Sequence, residues 1–336
     1  MGPAAERRGR RRPGWVVAAL VLVVVASGIA LGPRPVFEGR WVEPELPPDD
    51  LDAYLVAEEE GVPDLRPGDS RAIVWAAPDA PDRTPTSLVY LHGFSADRHE
   101  LEPVVTEIGR ELGANVYFAR LTGHGRDEAA MAEATAADWL DDTVEALAIG
   151  EAIGERVVLV GTSTGGTLAT WAATRPEAAG RIEAIVLVSP NYQPKDASSR
   201  VLLYPWGGLL ARMVVGPERC FQAENQEQDR HWTTCYPTAA LLPMMALVEH
   251  VRTTSVEGWR VPVLLVYSPE DLVVDATETE RVLASIPGDL LRVHVIDETG
   301  DPARHVLAGD ILSPGTNGEL RTVVTSFVRD ALGSPR

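Results

Sequence analysis

Ser163 is the residue of this chain best placed to do chemistry. It stands in Gly161-Thr162-Ser163-Thr164-Gly165-Gly166. A serine hydroxyl is a poor nucleophile at neutral pH, so a reactive serine needs a neighbouring base and an exposed, constrained position. A Gly-x-Ser-x-Gly string is common by itself, and its flanks give it meaning. Before it, Val157 to Val160 is a continuous apolar run that suits a strand buried on both faces. After it, Leu168, Ala169, Trp171, Ala172 and Ala173 supply helix formers and an apolar face. Strand, tight turn and helix in that order form the setting of a nucleophile elbow. Side chains two residues to either side of the serine would crowd the turn, which explains Gly161 and Gly165. The helix beginning under Ser163 points its first amides at any negative charge that develops nearby.

A nucleophile needs a scaffold to hold its partners, and the rest of the chain supplies the pattern of one. Ala72 to Ala76, Ser87 to Leu91, Asn115 to Phe118, Ile182 to Val188, Val261 to Tyr267 and Leu290 to Ile296 read as further strands. Helical spacing runs through Glu100 to Leu112, Ala136 to Ile153, Thr277 to Ser285 and Leu320 to Leu332. Strand and helix alternate, which implies an α/β chain with a mainly parallel central sheet covered on both faces. Residues 190–258 interrupt the alternation without a clear strand and carry Tyr204, Trp206, Met213, Phe221, Trp232, Met244 and Met245. They read as a mostly helical inserted cap, packed on the sheet edge or lining an acyl cleft. The core is therefore expected in two parts, 71–189 and 259–336.

The 336 residues, 45% hydrophobic, suffice for one large domain with an accessory segment. A net charge of -19 without a basic stripe past the N-terminus argues against nucleic acid as a partner. Residues 1–14 hold Arg7, Arg8, Arg10, Arg11 and Arg12, and residues 15–31 are uncharged and almost wholly apolar. That pairing predicts an N-terminal transmembrane helix with the rest of the chain outside the cytoplasm, or else a cleaved signal sequence. The Pro-rich, acidic residues 32–70 read as a linker with one short helix near Leu51 to Glu60. Cys220 and Cys235 both lie in the cap. In an oxidising compartment they would bridge, removing about 3 kcal/mol of unfolded-state entropy; otherwise they are two buried thiols.

Four stretches in order complete the pattern: Leu91-His92-Gly93-Phe94, Leu121-Thr122-Gly123-His124-Gly125, the Ser163 elbow, and acid and histidine segments near the C-terminus. Over about residues 70–332 the chain resembles the α/β-hydrolase superfamily, and within it the monoacylglycerol lipase and carboxylesterase-like serine hydrolases with a helical lid. The resemblance implies the order Ser, then Asp or Glu, then His. The acid falls just past the strand ending at Tyr267 and before a Val-Val pair, which makes it Asp271, with Glu270 and Asp275 in reserve. The base is His305, the histidine that follows the last strand; His294 lies within that strand. The oxyanion donors implied are the backbone N–H groups of Phe94 and Thr164. His92 and His124 would shape loops near the site, and His99, His231 and His250 are structural or exposed. Thr162 and Thr164 replace the histidine and methionine frequent in relatives, and Pro269-Glu270-Asp271 replaces a Gly-rich acid turn.

The expected activity is hydrolysis of carboxylic esters through an acyl-enzyme, with lipid-like, lysophospholipid or monoacylglycerol substrates favoured. Neither a metal nor an organic cofactor is expected for that chemistry. A thioesterase, amidase or peptidase on the same triad is the alternative, followed by a non-catalytic membrane-tethered binding protein.

Overall fold

The computed structural model describes residues 14–47, 50–256 and 258–333. Two elements precede the sheet: α1 (Gly14–Ala30) and α2 (Leu51–Glu60). The alternating region then runs β1 (Ala72–Val74), β2 (Ser87–Leu91), α3 (Glu102–Leu112), β3 (Asn115–Phe118), α4 (Ala136–Ile153), β4 (Val157–Thr162), α5 (Thr164–Ala173) and β5 (Ile182–Val188). Between β5 and the next sheet strand lie α6 (Gly207–Val214), β6 (Glu218–Cys220), α7 (Gln226–His231), β7 (Cys235–Pro237) and α8 (Leu241–Thr253). The chain closes with β8 (Val263–Tyr267), α9 (Ala276–Leu283), β9 (Leu291–Val295) and α10 (Asn317–Gly333).

Seven strands form one sheet in the order β1-β3-β2-β4-β5-β8-β9. All neighbours pair in parallel except β1, which runs antiparallel to β3 at the edge. The strand period of two divides each central strand between two cores. Val89, Leu91, Leu159, Ile185, Leu187 and Leu265 face one core with residues of α4, α5 and α8. Leu88, Tyr90, Val158, Val160, Val186, Val188, Leu264 and Val266 face the other with residues of α3 and α10. This explains the continuous apolar runs in the sequence: every residue of β2, β4, β5 and β8 is buried. Because the parallel strands share one direction, the segments after β2, β4, β8 and β9 emerge along one edge, where open α/β sheets bind ligands.

Three findings modify the expectations. The apolar N-terminal run forms α1, 17 residues long. At 1.5 Å per residue it reaches about 25 Å, short of the about 30 Å hydrocarbon core. Among the described residues no helix is long and apolar enough to cross a membrane, so the expected N-terminal transmembrane helix is not found. The basic segment preceding it lies, but for Gly14, outside the described residues.

The second finding is that the acidic stretch ahead of the sheet packs along the core. Glu59 is 7% exposed and pairs with Arg71 at 2.9 Å and with Arg120 at 2.9 Å. Phe37 stacks on His250, and Trp41 on Trp171. Glu59 is thus held by two arginines outside the stretch read as a linker. The third is that the insert holds an antiparallel β6–β7 ribbon, in which Cys220 and Cys235 stand opposite each other and are disulfide-bonded.

Candidate active site

Ser163 directly follows β4, in the centre of the sheet, and precedes α5. Its backbone sits at φ 52°, ψ -115°, a conformation costly for any residue with a Cβ. The surroundings impose it. Ser163 N–H donates to Val188 O at 2.9 Å, and Ser163 O accepts from Asn191 N–H at 3.0 Å and Thr167 N–H at 3.1 Å. The flanking glycines are required sterically. A Cβ at Gly165 would lie 2.0 Å from Leu91 O, and one at Gly161 would lie 2.5 Å from Gly165 O. Gly165→Ala is therefore expected to lower unfolding free energy by about 3 kcal/mol, measurable by urea denaturation. No rotamer change can relieve a clash between a Cβ and a backbone oxygen.

Asp271 follows β8 and is 1% exposed. Its Oδ1 accepts from Val273 N–H at 2.7 Å and Val274 N–H at 2.9 Å, and its Oδ2 meets His305 Nδ1 at 2.7 Å. The carboxylate is thus held by two amides, with its free oxygen aimed at the imidazole. The reserve acids point elsewhere. Glu270 is exposed and pairs with Arg304, and Asp275 caps α9 through Thr277 N–H. His294 bonds Glu319 at the surface. Both Ser163 and His305 are buried, at 6% and 7% exposure. Among the described residues the Ser163 hydroxyl makes no hydrogen bond with His305; such contacts commonly close only when substrate is bound.

Two acidic residues that the sequence did not single out support this arrangement. Asp301 Oδ2 accepts from the N–H of His305 at 3.0 Å and of Val306 at 2.8 Å, which fixes the histidine loop. Glu100, 3% exposed, accepts from Tyr90 OH at 2.7 Å and Gly93 N–H at 2.9 Å. Glu100 thereby anchors the turn that carries Phe94. That turn lies against Ser163: a Cβ at Gly93 would stand 3.3 Å from Ser163 Cβ. Neither the Phe94 nor the Thr164 N–H has an acceptor among the described residues. No local pattern marked Glu100, which reads as the polar start of an amphipathic helix.

The neighbouring motifs act through their histidines. Leu121 N–H donates to His92 Nε2 at 3.0 Å, so the His92 proton resides on Nδ1 and is donated to Gly93 O at 2.8 Å. Burial pushes His92 down to about 4, which keeps it neutral and the bridge intact at ordinary pH. His124 and Trp139 meet the Phe94 ring edge to face, and so does Tyr236 from the insert at 5.3 Å. Phe221 and Leu241 join this apolar cluster.

Charge around His305 sets its proton affinity. Burial pulls the imidazole down, but the Asp271 carboxylate, with Glu100 and Asp301 behind it, outweighs burial and leaves the pKa raised. A base works only when neutral, so a raised pKa moves the acid limb of kcat/KM to higher pH. The limb is expected above the ordinary histidine value of about 6.5. In Asp271→Asn it should move to lower pH, as measured by pH–rate profiles of residual ester hydrolysis.

The chain is similar to several known proteins. The profile of the serine aminopeptidase S33 family (Hydrolase_4) matches residues 83–310. A thermostable monoacylglycerol lipase from Bacillus sp. (strain H-257) is 24% identical over 212 residues, covering 63% of this chain and 80% of that enzyme. Among solved structures, the metagenome-derived lipolytic enzymes LipS and LipT include one that superposes with a TM-score of 0.64 at 21% identity, covering 79% of this chain and 99% of the other. The Paleococcus ferrophilus monoacylglycerol lipase gives 0.57 at 17% identity, covering 78% and 98%. A soluble variant of the Saccharomyces cerevisiae monoglyceride lipase gives 0.58 at 11% identity, covering 90% and 100%. These likenesses show the α/β-hydrolase fold, and the profile, spanning both halves of the sheet and the insert between them, shows that the chain belongs to the serine aminopeptidase S33 family of α/β-hydrolases.

Proposed function

We propose that this protein hydrolyses carboxylic esters through an acyl-enzyme formed on Ser163. The observation that carries the reading is the buried Asp271–His305 pair at 2.7 Å, facing the same sheet edge as a serine held at positive φ. As Ser163 Oγ attacks the ester carbonyl carbon, His305 Nε2 takes the hydroxyl proton. The N–H groups of Phe94 and Thr164 donate to the oxyanion of the tetrahedral intermediate. Collapse breaks the carbon–oxygen bond to the alcohol, which leaves with the proton from His305. Water then attacks the acyl-enzyme, giving its proton to His305, and release of the acid restores Ser163. Asp271 stabilises the imidazolium in both halves.

Lipid-like esters of the monoacylglycerol or lysophospholipid kind are the favoured substrates. Two features support that choice: the apolar cluster of Phe94, Phe221, Tyr236 and Leu241 where insert meets oxyanion loop, and relatives named as monoacylglycerol lipases. In this reading residues 190–258 act as a cap over the acyl-binding cleft. The test is a panel of p-nitrophenyl esters of increasing chain length, a 1-monoacylglycerol, an acyl thioester and an aminoacyl anilide. Ester hydrolysis that exceeds thioester and anilide turnover supports the reading. Faster thioester or anilide turnover would assign the same triad to a thioesterase or peptidase.

We further propose that residues 1–31 are an export segment that leaves the catalytic domain outside the cytoplasm. The arginine cluster followed by the apolar α1 helix supports this. Mass spectrometry of the mature N-terminus separates retention at the membrane from cleavage, and a domain found in the cytoplasm would refute export.

A further inference from the structure

Away from the serine, four side chains from three distant segments converge. Asp69 precedes β1, Asp97 and His99 lie just past the Phe94 turn, and His231 ends α7 in the insert. His231 Nδ1 is 2.9 Å from Asp69 Oδ1 and 3.2 Å from Asp97 Oδ2. His99 Nδ1 is 3.0 Å from Asp97 Oδ1 and 3.8 Å from Asp69 Oδ1. Each residue offers one ligand atom, and all four atoms lie within 4.8 Å of one another.

These separations have the dimensions of a coordination shell. Ligands 2.0–2.2 Å from a tetrahedral zinc ion stand about 3.3–3.6 Å apart. Closing the shell around an ion takes shifts of about an ångström or less in carboxylates that already face the rings.

A second feature is independent of the cluster's own contacts. Both rings turn Nδ1 inward, and each outer Nε2 faces another carboxylate. His99 Nε2 is 3.6 Å from Glu102 Oε2, and His231 Nε2 is 3.8 Å from Glu227 Oε2. On binding an ion each Nδ1 gives up the proton it now shares with Asp69 or Asp97, and a carboxylate near the outer nitrogen supports the tautomer protonated there, as at ligating histidines. Arg66 Nε holds the other oxygen of Asp69 at 2.7 Å, so Oδ1 remains directed at the rings. Asp69, Asp97 and His231 are buried, whereas His99 and His231 border a surface cavity of about 620 Å³ that gives an ion access.

We propose that Asp69, Asp97, His99 and His231 form a binding site for one divalent transition-metal ion. Two imidazoles and two carboxylates suit zinc, and four protein ligands make the site a structural one. Its position gives it a task. Asp97 lies three residues past Phe94, and Thr233, two residues past His231, donates its N–H to Ser95 O at 2.7 Å. The ion clamps the insert to the loop carrying the oxyanion donor. The catalytic reading requires no metal, and the site stands whether or not that reading holds.

The test is calorimetric titration of the full chain, stripped with EDTA and desalted, with zinc chloride alone and with magnesium chloride as control. One zinc per chain is expected to bind saturably, with magnesium much weaker. A hundredfold excess of zinc over Kd should raise the melting temperature by about 5 °C. His99→Ala, at a partly exposed position, and His231→Ala should each weaken binding by about 100-fold or more. Glu102→Gln, which faces the outer nitrogen and otherwise bonds Arg98, should weaken it by about 10-fold, and His294→Ala should leave it unchanged. Absence of saturable zinc binding by the folded full chain would overturn the proposal. Binding that persists in both histidine variants would place the ion elsewhere and overturn it equally.

Discussion

Ser163→Ala is expected to lower kcat on a p-nitrophenyl ester by about a millionfold, leaving only a small residual rate above the uncatalysed reaction. The substitution deletes the atom proposed to form the acyl bond and little else. The elbow is held by main-chain contacts, namely Ser163 N–H to Val188 O and Ser163 O to the amides of Thr167 and Asn191. Alanine retains all three and bears the same positive φ. The variant should therefore fold, bind substrate and present the Phe94 and Thr164 amides unchanged. The residual rate would measure what those donors achieve without a nucleophile. Undiminished hydrolysis by a folded Ser163→Ala protein would remove the serine from the mechanism.

Asp271→Asn should lower kcat by about 10,000-fold. The hydrogen bonds dictate why a nearly isosteric change is so harmful. Oδ1 of Asp271 receives the N–H groups of Val273 and Val274, so the asparagine carbonyl oxygen must occupy that position. Its amide NH2 then faces His305 Nδ1 and needs a lone pair there. The ring is driven to the tautomer protonated on Nε2, which cannot accept the proton of Ser163. Glu270→Gln and Asp275→Asn should leave kcat nearly unchanged, because neither carboxylate reaches the imidazole; Asp275→Asn alters the α9 cap and the bond from Gln193. Steady-state kinetics on the three variants makes the comparison, and an equal loss in Glu270→Gln would reassign the acid.

The parts of the fold that were legible in the sequence are those governed by local pattern. β3, α4 and β5 occupy the residues expected of them because uninterrupted apolar runs and a long amphipathic face carry their own boundaries. The elbow was legible because the crowding at Gly161 and Gly165 leaves its mark as glycine. Pairing and burial of charge were not legible. Nothing in Ala72 to Val74 reports that β1 runs antiparallel at an edge, and three-residue strands such as β6 and β7 show no period. Glu59 and Glu100 are buried because partners far along the chain receive them: Arg71 and Arg120 for the first, Tyr90 and the Gly93 amide for the second. His99 and His231 looked unrelated for the same reason, although their rings stack 3.8 Å apart. The N-terminal helix illustrates a different limit, since a run of 17 apolar residues sits at the length where composition no longer decides.

The acyl-enzyme itself is the most direct test. Incubation of the full chain with a fluorophosphonate, followed by intact mass measurement and peptide mapping, should show a single adduct on Ser163. His305→Ala should label far more slowly, because the hydroxyl then lacks its base. An adduct on another residue, or continued ester hydrolysis by protein that no fluorophosphonate modifies, would contradict the account.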